Sequence, residues 1–185
     1  DGTYPVVQLD ALVKPFCKLL RFKRYTDDPA HLEVIKAQPT VLVVAPLSHG
    51  AGIHALLNVA RGAATVLLAS EKLDAEAFWQ AVEKHRVSNL FTVPTIVKVL
   101  VEHPAVDRYH HSSLRYLIYA GAPMYRADQK LALQKLGKVL VQYFGLGEVT
   151  GNITVLPADM HSADDADPHA NVGSCGRPRV GIEVA

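Results

Sequence analysis

The chain has 185 residues, 49% of them apolar and 20% charged, which is enough to bury a sizeable core and is the make-up of an ordinary globular domain. A net charge of +1, with Lys and Arg scattered among Asp and Glu, excludes the electrostatic footprint of a nucleic-acid or anionic-membrane binder. No apolar run reaches the ~20 residues of a bilayer span, no signal peptide is visible, and Cys17 and Cys175 have neither metal-ligand nor disulfide spacing, so a cytoplasmic setting is expected.

Residues 1–40 read as an N-terminal segment that is partly helical, with 9–20 as an amphipathic helix interrupted at Pro15 and 21–24 as a small basic cluster. From residue 41 onward short apolar runs alternate with helical stretches. Residues 41–45 form the first run, ending at Pro46, and 50–61 have helical character, with Ile53, Leu56, Leu57 and Ala60 on one stripe. A strand is expected over 64–69. Asp74 can cap a helix running to Arg86, with Ala77, Phe78, Ala81 and Val82 on its apolar face. Residues 89–93 read as a strand ended by Pro94, and a helix follows to about His103 with Ile96, Val97, Leu100 and Val101 inward. Residues 115–120 read as a strand, 125–136 as a helix closed by Gly137, and 138–143 as a strand, with a further apolar run at 152–156. The polar stretch 159–171, with His161, Asp164, Asp165, Asp167 and His169, reads as an exposed loop because it lacks fixed metal-ligand spacing. Residues 180–185 look like a strand, and both chain ends read as cuts through a longer protein. The alternation predicts an α/β fold: a doubly wound, mainly parallel sheet over 41–185 with helices on both faces.

In such a sheet, ligands bind beyond the C-terminal ends of the strands. Three exits there are rich in special residues. Ala45-Pro46-Leu47-Ser48-His49-Gly50-Ala51-Gly52 opens a helix whose N–H groups can face an anion. Ser48 beside His49 is a weak hydrolase signal, because sequence neighbours rarely form a nucleophile–base pair and the G-x-S-x-G elbow is absent. Tyr119-Ala120-Gly121-Ala122-Pro123 is a small rigid turn on which a flat base can lie. Gln142-Tyr143-Phe144-Gly145-Leu146-Gly147-Glu148 brings an aromatic face, two glycines and one carboxylate suited to a hard cation such as Mg²⁺.

Together with Val93-Pro94-Thr95 and Gly173-Ser174-Cys175-Gly176-Arg177-Pro178, these segments resemble, in order and interval, the adenylate-forming (AMP-binding) superfamily of acyl- and aryl-CoA synthetases, which includes luciferases and peptide-synthetase adenylation domains. The resemblance implies part of a large adenylation domain. It also implies a two-step reaction in which a fatty or aryl carboxylic acid attacks ATP to give an acyl-adenylate, and the thiol of CoA then displaces AMP. Glu148 stands at the position of the family's magnesium-associated catalytic glutamate. Gly121, Ala122 and Pro123 occupy its adenine turn, and Tyr143, Phe144, Gly145, Leu146 and Gly147 its nucleotide-binding run. His49, Gly50 and Gly52 match the border of the acyl pocket, and Thr95 a place near the acyl or CoA channel.

Two departures stand out: Phe144 replaces the family's usual tyrosine, and Gly147 its phosphate-binding threonine. Tyr143 and Thr150 are the nearby candidates to supply the missing hydroxyl. No Ser/Thr/Gly-rich phosphate loop precedes residue 41, and the ribose-binding aspartate and C-terminal lysine would fall beyond Ala185, so the fragment alone is expected to be inactive. A non-catalytic nucleotide- or acyl-binding relative is the alternative, and an unrelated doubly wound hydrolase or flavodoxin-like protein a third reading.

Overall fold

The computed structural model describes residues 6–14, 17–24, 39–60, 62–69, 72–149, 151–168 and 170–184, the first two stretches by backbone only. The positions 15, 61, 150, 169 and 185 named above, and the side chains of 21–24, lie outside that description.

The N-terminal segment departs from the helical expectation. Strands β1 (Val6–Lys14) and β2 (Cys17–Arg24) form an antiparallel pair, from Val6 opposite Arg24 to Lys14 opposite Cys17. Pro15 denies a helix one N–H and biases Lys14 toward extended backbone, while Val6, Val7, Val13 and Phe22 favour a pleated surface.

Residues 39–178 carry the main sheet. In chain order come β3 (Thr40–Val43), α1 (Gly50–Ala60), β4 (Ala64–Leu67), α2 (Ala75–His85), β5 (Asn89–Thr92), α3 (Pro94–Glu102), β6 (Tyr116–Tyr119), α4 (Arg126–Leu136), β7 (Leu140–Leu146), β8 (Gly151–Leu156) and β9 (Arg177–Pro178). The spatial order is β4-β3-β5-β6-β7-β8-β9. β3 pairs in parallel with both β4 and β5, and β5–β6 and β6–β7 are also parallel. The last two pairings, β7–β8 and β8–β9, are antiparallel. The order of connection therefore reverses between β3 and β5, the switch point where such sheets open a crevice. The mostly parallel α/β expectation holds.

Helices cover both faces unequally. Leu42, Leu90, Leu117, Tyr119 and Leu140 share the buried core with α2, α3 and α4. Asp74 caps α2 by accepting the Ala77 N–H at 3.0 Å, and Arg86 ends the helix in the left-handed region at φ 48°. Trp79 is fully buried and was absent from the expected apolar face; its indole N–H donates to the Leu100 carbonyl at 3.0 Å, joining α2 to α3. Burial of a side chain this size contributes at least ~2 kcal/mol.

The other face carries α1. Its buried residues are Ala51 and Ala55, and the larger side chains point out, with Ile53, Leu56 and Leu57 at least 63% exposed. Two glycines fit the tight start of the helix: a Cβ on Gly52 would stand 1.8 Å from the Leu47 carbonyl oxygen in the turn before the helix, and one on Gly50 2.8 Å from the Phe91 ring on β5.

The expected strand over 180–185 is not formed among the described residues 180–184, which make a turn and irregular chain. The pairing that closes this edge comes earlier, where Arg177 and Pro178 meet Val155 and Thr154. Between residues 180 and 184 no neighbouring strand supplies ladder partners, and a lone strand leaves its hydrogen bonds unmade.

Candidate functional site

A cleft of about 970 Å³ opens at the C-terminal ends of the parallel strands, within the size range of small-molecule sites. All three exits reach it. His49, Gly50 and Gly52 line it from the β3 exit, Gly121 with Ala120 from the β6 exit, and Tyr143, Gly145, Leu146 and Gly147 from β7. Gly121 has φ +87°, the left-handed backbone that lets the chain turn sharply off β6.

The remaining anticipated residues fall elsewhere. Tyr143, Gly145, Leu146 and Gly147 line the cleft, whereas the exposed Phe144, at the point where the β7–β8 register shifts, does not. Ala122 is exposed on the turn, and Pro123 lines a second cavity of about 90 Å³ with Tyr119 and Gln142. Thr95 is exposed in the first turn of α3 and does not line the cleft. Glu148 is exposed on the short 3-10 turn Gly147–Val149 that ends β7, next to cleft residue Gly147.

The backbone of β7 is close-packed where it passes the cleft. A Cβ on Gly145 would lie 2.0 Å from the Gly151 carbonyl oxygen across the β7–β8 ladder, beside the irregular register between Phe144 and Gly145. Nothing lies within 4 Å of the corresponding position on Gly147. One glycine is demanded by packing and the other is not.

Side chains that the motifs did not mark complete the lining. Leu47, Ile53, Leu56, Leu57 and Val59 make one wall apolar, and Phe91 and Val93 close the base. The signal for Ile53, Leu56 and Leu57 was present as the α1 stripe, without Leu47 and Val59, but periodicity alone does not say whether a stripe faces a core or a ligand. His54 also lines the cleft, with Nε2 2.8 Å from Asn89 Oδ1. Asn58 Nδ2 stands 3.3 Å from the same nitrogen, and Asn89 Nδ2 donates to Ser88 Oγ, so that the Asn89 oxygen faces the ring. Burial lowers the His54 pKa, opposed by that hydrogen bond, and burial raises that of Tyr143. Thr65 Oγ1, also in the lining, is buried without a hydrogen-bond partner among the described residues.

The polar 159–171 stretch is tied down by ion pairs. Asp165 meets both Arg126 and Lys130, which hold its carboxyl below the usual carboxylate range, Lys130 more strongly. No group of three or more His, Cys, Asp or Glu side chains among the described residues can hold a metal, and no described helix is long and apolar enough to cross a membrane.

Comparison with known proteins gives a consistent picture. A family model described as AMP-binding enzyme matches residues 18–185. A feruloyl-CoA synthase of an Amycolatopsis species is 35% identical over 145 residues, 77% of this chain and 28% of its own length. 4-Coumarate–CoA ligase 3 of Arabidopsis thaliana is 32% identical over 144 residues, again 77% of this chain and 25% of its own. Among solved structures, the amide bond synthetase McbA of Marinactinospora thermotolerans superposes with a TM-score of 0.66 at 30% identity, covering 80% of this chain and 31% of that one. A fatty acyl CoA synthetase of Mycobacterium tuberculosis shares the fold, with a TM-score of 0.63 at 22% identity over 94% of this chain and 33% of that one. The chain spans about a quarter of the length of the curated relatives it matches.

Proposed function

The chain belongs to the AMP-binding enzyme family, and on that premise we propose that it supplies the nucleotide- and acid-binding heart of an ATP-dependent acid–thiol ligase acting in the cytoplasm. The reaction joins a fatty or aryl carboxylic acid to CoA through an acyl-adenylate. The observation that carries this reading is the convergence of the β3, β6 and β7 exits on one large cleft with an apolar wall. The names of the relatives, CoA ligases of hydroxycinnamic and fatty acids, support the acid and the thiol.

Each part of the rim has a task in this scheme. The base is proposed to lie on the turn Gly121, Ala122, Pro123, with the exposed ring of Phe144 as its stacking face. The phosphates cross the stretch of Gly145, Leu146 and Gly147, where the two glycines carry no side chain to hold a ligand off the backbone. The acid enters from the α1 side, past His49, Gly50 and Gly52, with its apolar body against Leu56 and Leu57. Thr95, outside the lining, borders the route taken by the thiol.

The donor set fits a magnesium ion that travels with ATP. A single exposed carboxylate, Glu148, is too little for a protein-built cage but suits an ion held mainly by phosphates and water. Glu148, with the phosphates and water, would hold this Mg²⁺, which would supply charge neutralisation at the phosphates; the acid's carboxylate displaces pyrophosphate from the α-phosphorus. A carboxylate is already nucleophilic, so this chain's residues need only position the reactants and exclude water. Gly147 offers no hydroxyl where the family has threonine, a loss of about 1.5–3 kcal/mol of charge-assisted hydrogen bonding unless another donor replaces it. That departure favours the second reading, a relative that binds nucleotide or acyl ligand without chemistry.

The test is ATP–pyrophosphate exchange, with ferulate and palmitate as acids, in the ligase that contains this chain. Glu148→Gln should slow exchange at least about tenfold. Unchanged exchange removes the metal role of Glu148, and nucleotide binding without exchange selects the non-catalytic reading. The 185-residue chain alone should form no adenylate.

A further inference from the structure

Behind the β6 and β7 exits lies a buried polar chain that the reaction scheme does not use. Tyr119 and His161 are 0% and 1% exposed, and the phenol oxygen stands 3.2 Å from imidazole Nε2. The other ring nitrogen, Nδ1, is 2.9 Å from the Pro157 carbonyl oxygen, which can only accept. Nδ1 therefore carries the proton of the neutral ring, Nε2 carries the lone pair, and Tyr119 donates its hydroxyl proton to His161. The phenol oxygen accepts from Gln129 Nε2 at 3.4 Å, and the Gln142 atom that faces it at 3.1 Å is Oε1, so with the hydroxyl proton given to His161 the Gln142 amide turns over to donate its NH₂.

This chain joins two strand ends at the same level. Tyr119 is cross-strand partner to Gln142, the next residue after Tyr119 opens the β6 turn, and the next after Gln142 is the cleft residue Tyr143. His161 grips the pair from outside the sheet, and the segment that carries it is held at Met160 by Asn171 Nδ2. Protonating the ring would reverse two of these hydrogen bonds and leave those from Nδ1 to Pro157 and from Gln129 to Tyr119: Nε2 would donate to Tyr119, and Tyr119 would donate to Gln142 Oε1. The charges that face the ring are Arg126 from α4, which opposes protonation and is itself paired with Asp165, and Asp159 from the ring's own turn, which favours it. Burial is the largest influence and keeps His161 below the ordinary histidine range.

We propose that His161 is a positioning residue for the cleft: through Tyr119 and Gln142 it fixes the spacing of the β6 and β7 exits, and nucleotide is held well only while those hydrogen bonds run toward the ring. The nucleotide part rests on the function proposed above; the positioning part does not.

Two variants separate the links. His161→Asn keeps a donor for Pro157 and loses the acceptor for Tyr119, whereas His161→Gln places an amide oxygen near Nε2 that accepts at any pH. Long-range ¹H–¹⁵N NMR of the wild-type chain should show the Nδ1–H tautomer at about pH 8. Hydrogen exchange at 120–124 and 142–146 should quicken in Asn and return toward wild type in Gln. AMP affinity should fall about fivefold in Asn and recover in Gln, and should weaken from about pH 7.5 to 5.5 in wild type but not in Gln. An Nε2–H tautomer, or identical behaviour of Asn and Gln, overturns the positioning role. Should exchange follow the expected pattern while AMP binds at no pH, positioning stands and the nucleotide reading falls.

Discussion

Gly145→Ala tests the packing of the cleft edge most directly. The added methyl would sit 2.0 Å from the Gly151 carbonyl oxygen, 2.7 Å from its carbon and 2.8 Å from Asn152 Cα, all backbone atoms. Real Cβ contacts essentially never fall under 3.0 Å, so the two strands must part by about 1 Å at this point. Strain of this kind costs about 1–3 kcal/mol, and a lost ladder hydrogen bond adds about 1 kcal/mol. We expect a net destabilisation of about 2–3 kcal/mol, a drop of about 1 M in the urea midpoint for a chain with an m-value near 2–3 kcal/mol/M. The assay is equilibrium urea unfolding followed by the fluorescence of Trp79, the only tryptophan and fully buried. Gly147→Ala is the control: its Cβ meets nothing within 4 Å and its φ is not positive, so it should leave the midpoint unchanged or raise it slightly. Equal midpoints for Gly145→Ala and wild type, or an equal loss in both variants, would refute the packing argument.

Gly147→Thr adds the hydroxyl that the family resemblance finds missing in a space with no obstruction, so affinity for ATP·Mg²⁺ by calorimetry should rise about tenfold; no rise means the phosphates do not pass this point. Asp74→Ala removes the α2 cap and should cost about 1 kcal/mol in urea unfolding, with no change in nucleotide binding. His54 and His161 both have folded pKa values below the unfolded 6.5, so the unfolded chain takes up protons first. Their contribution is complete above pH 6.5 and is lost as pH falls through the folded values; the urea midpoint should therefore decline on acidification, and the decline should be shallower in a His54→Gln, His161→Gln double variant.

What could be read from the residues was set by how local the cause is. The caps at Asp74 and Gly137, the interiors of α2 and α3, and the three strand exits depend on neighbours a few positions away, and they stand where the pattern put them. The N-terminal hairpin was missed because its apolar residues satisfy a helical period as well as alternation, and only the proline argued for the second. The outward face of α1 was hidden for a different reason. The buried side of the helix carries only Ala51 and Ala55, with Gly50 against the Phe91 ring, and a stripe of larger apolar residues gives no sign that the small face is the one turned to the sheet. Tyr119 and His161 are 42 residues apart, and nothing in either segment announces the other. Which β7 residues reach the cleft was not legible from alternation, because the register shifts between Phe144 and Gly145 and Leu146 lines the cleft beside Gly145.

The change of strand direction at β7 also orders the assembly of the molecule. Each parallel pairing from β3 to β7 waits for a helix-bearing crossover to close, a slow event with a large entropy cost. The β7–β8 ribbon needs only a short reversal, with Leu146 paired to Gly151, and such ribbons form in microseconds. The strip that carries Gly145 and leads to Glu148 should thus acquire amide protection before the rest of the rim, which pulsed hydrogen labelling during refolding can time. The cleft would then be built outward from its glycine-lined edge, with the α1 wall added when β3 docks between β4 and β5.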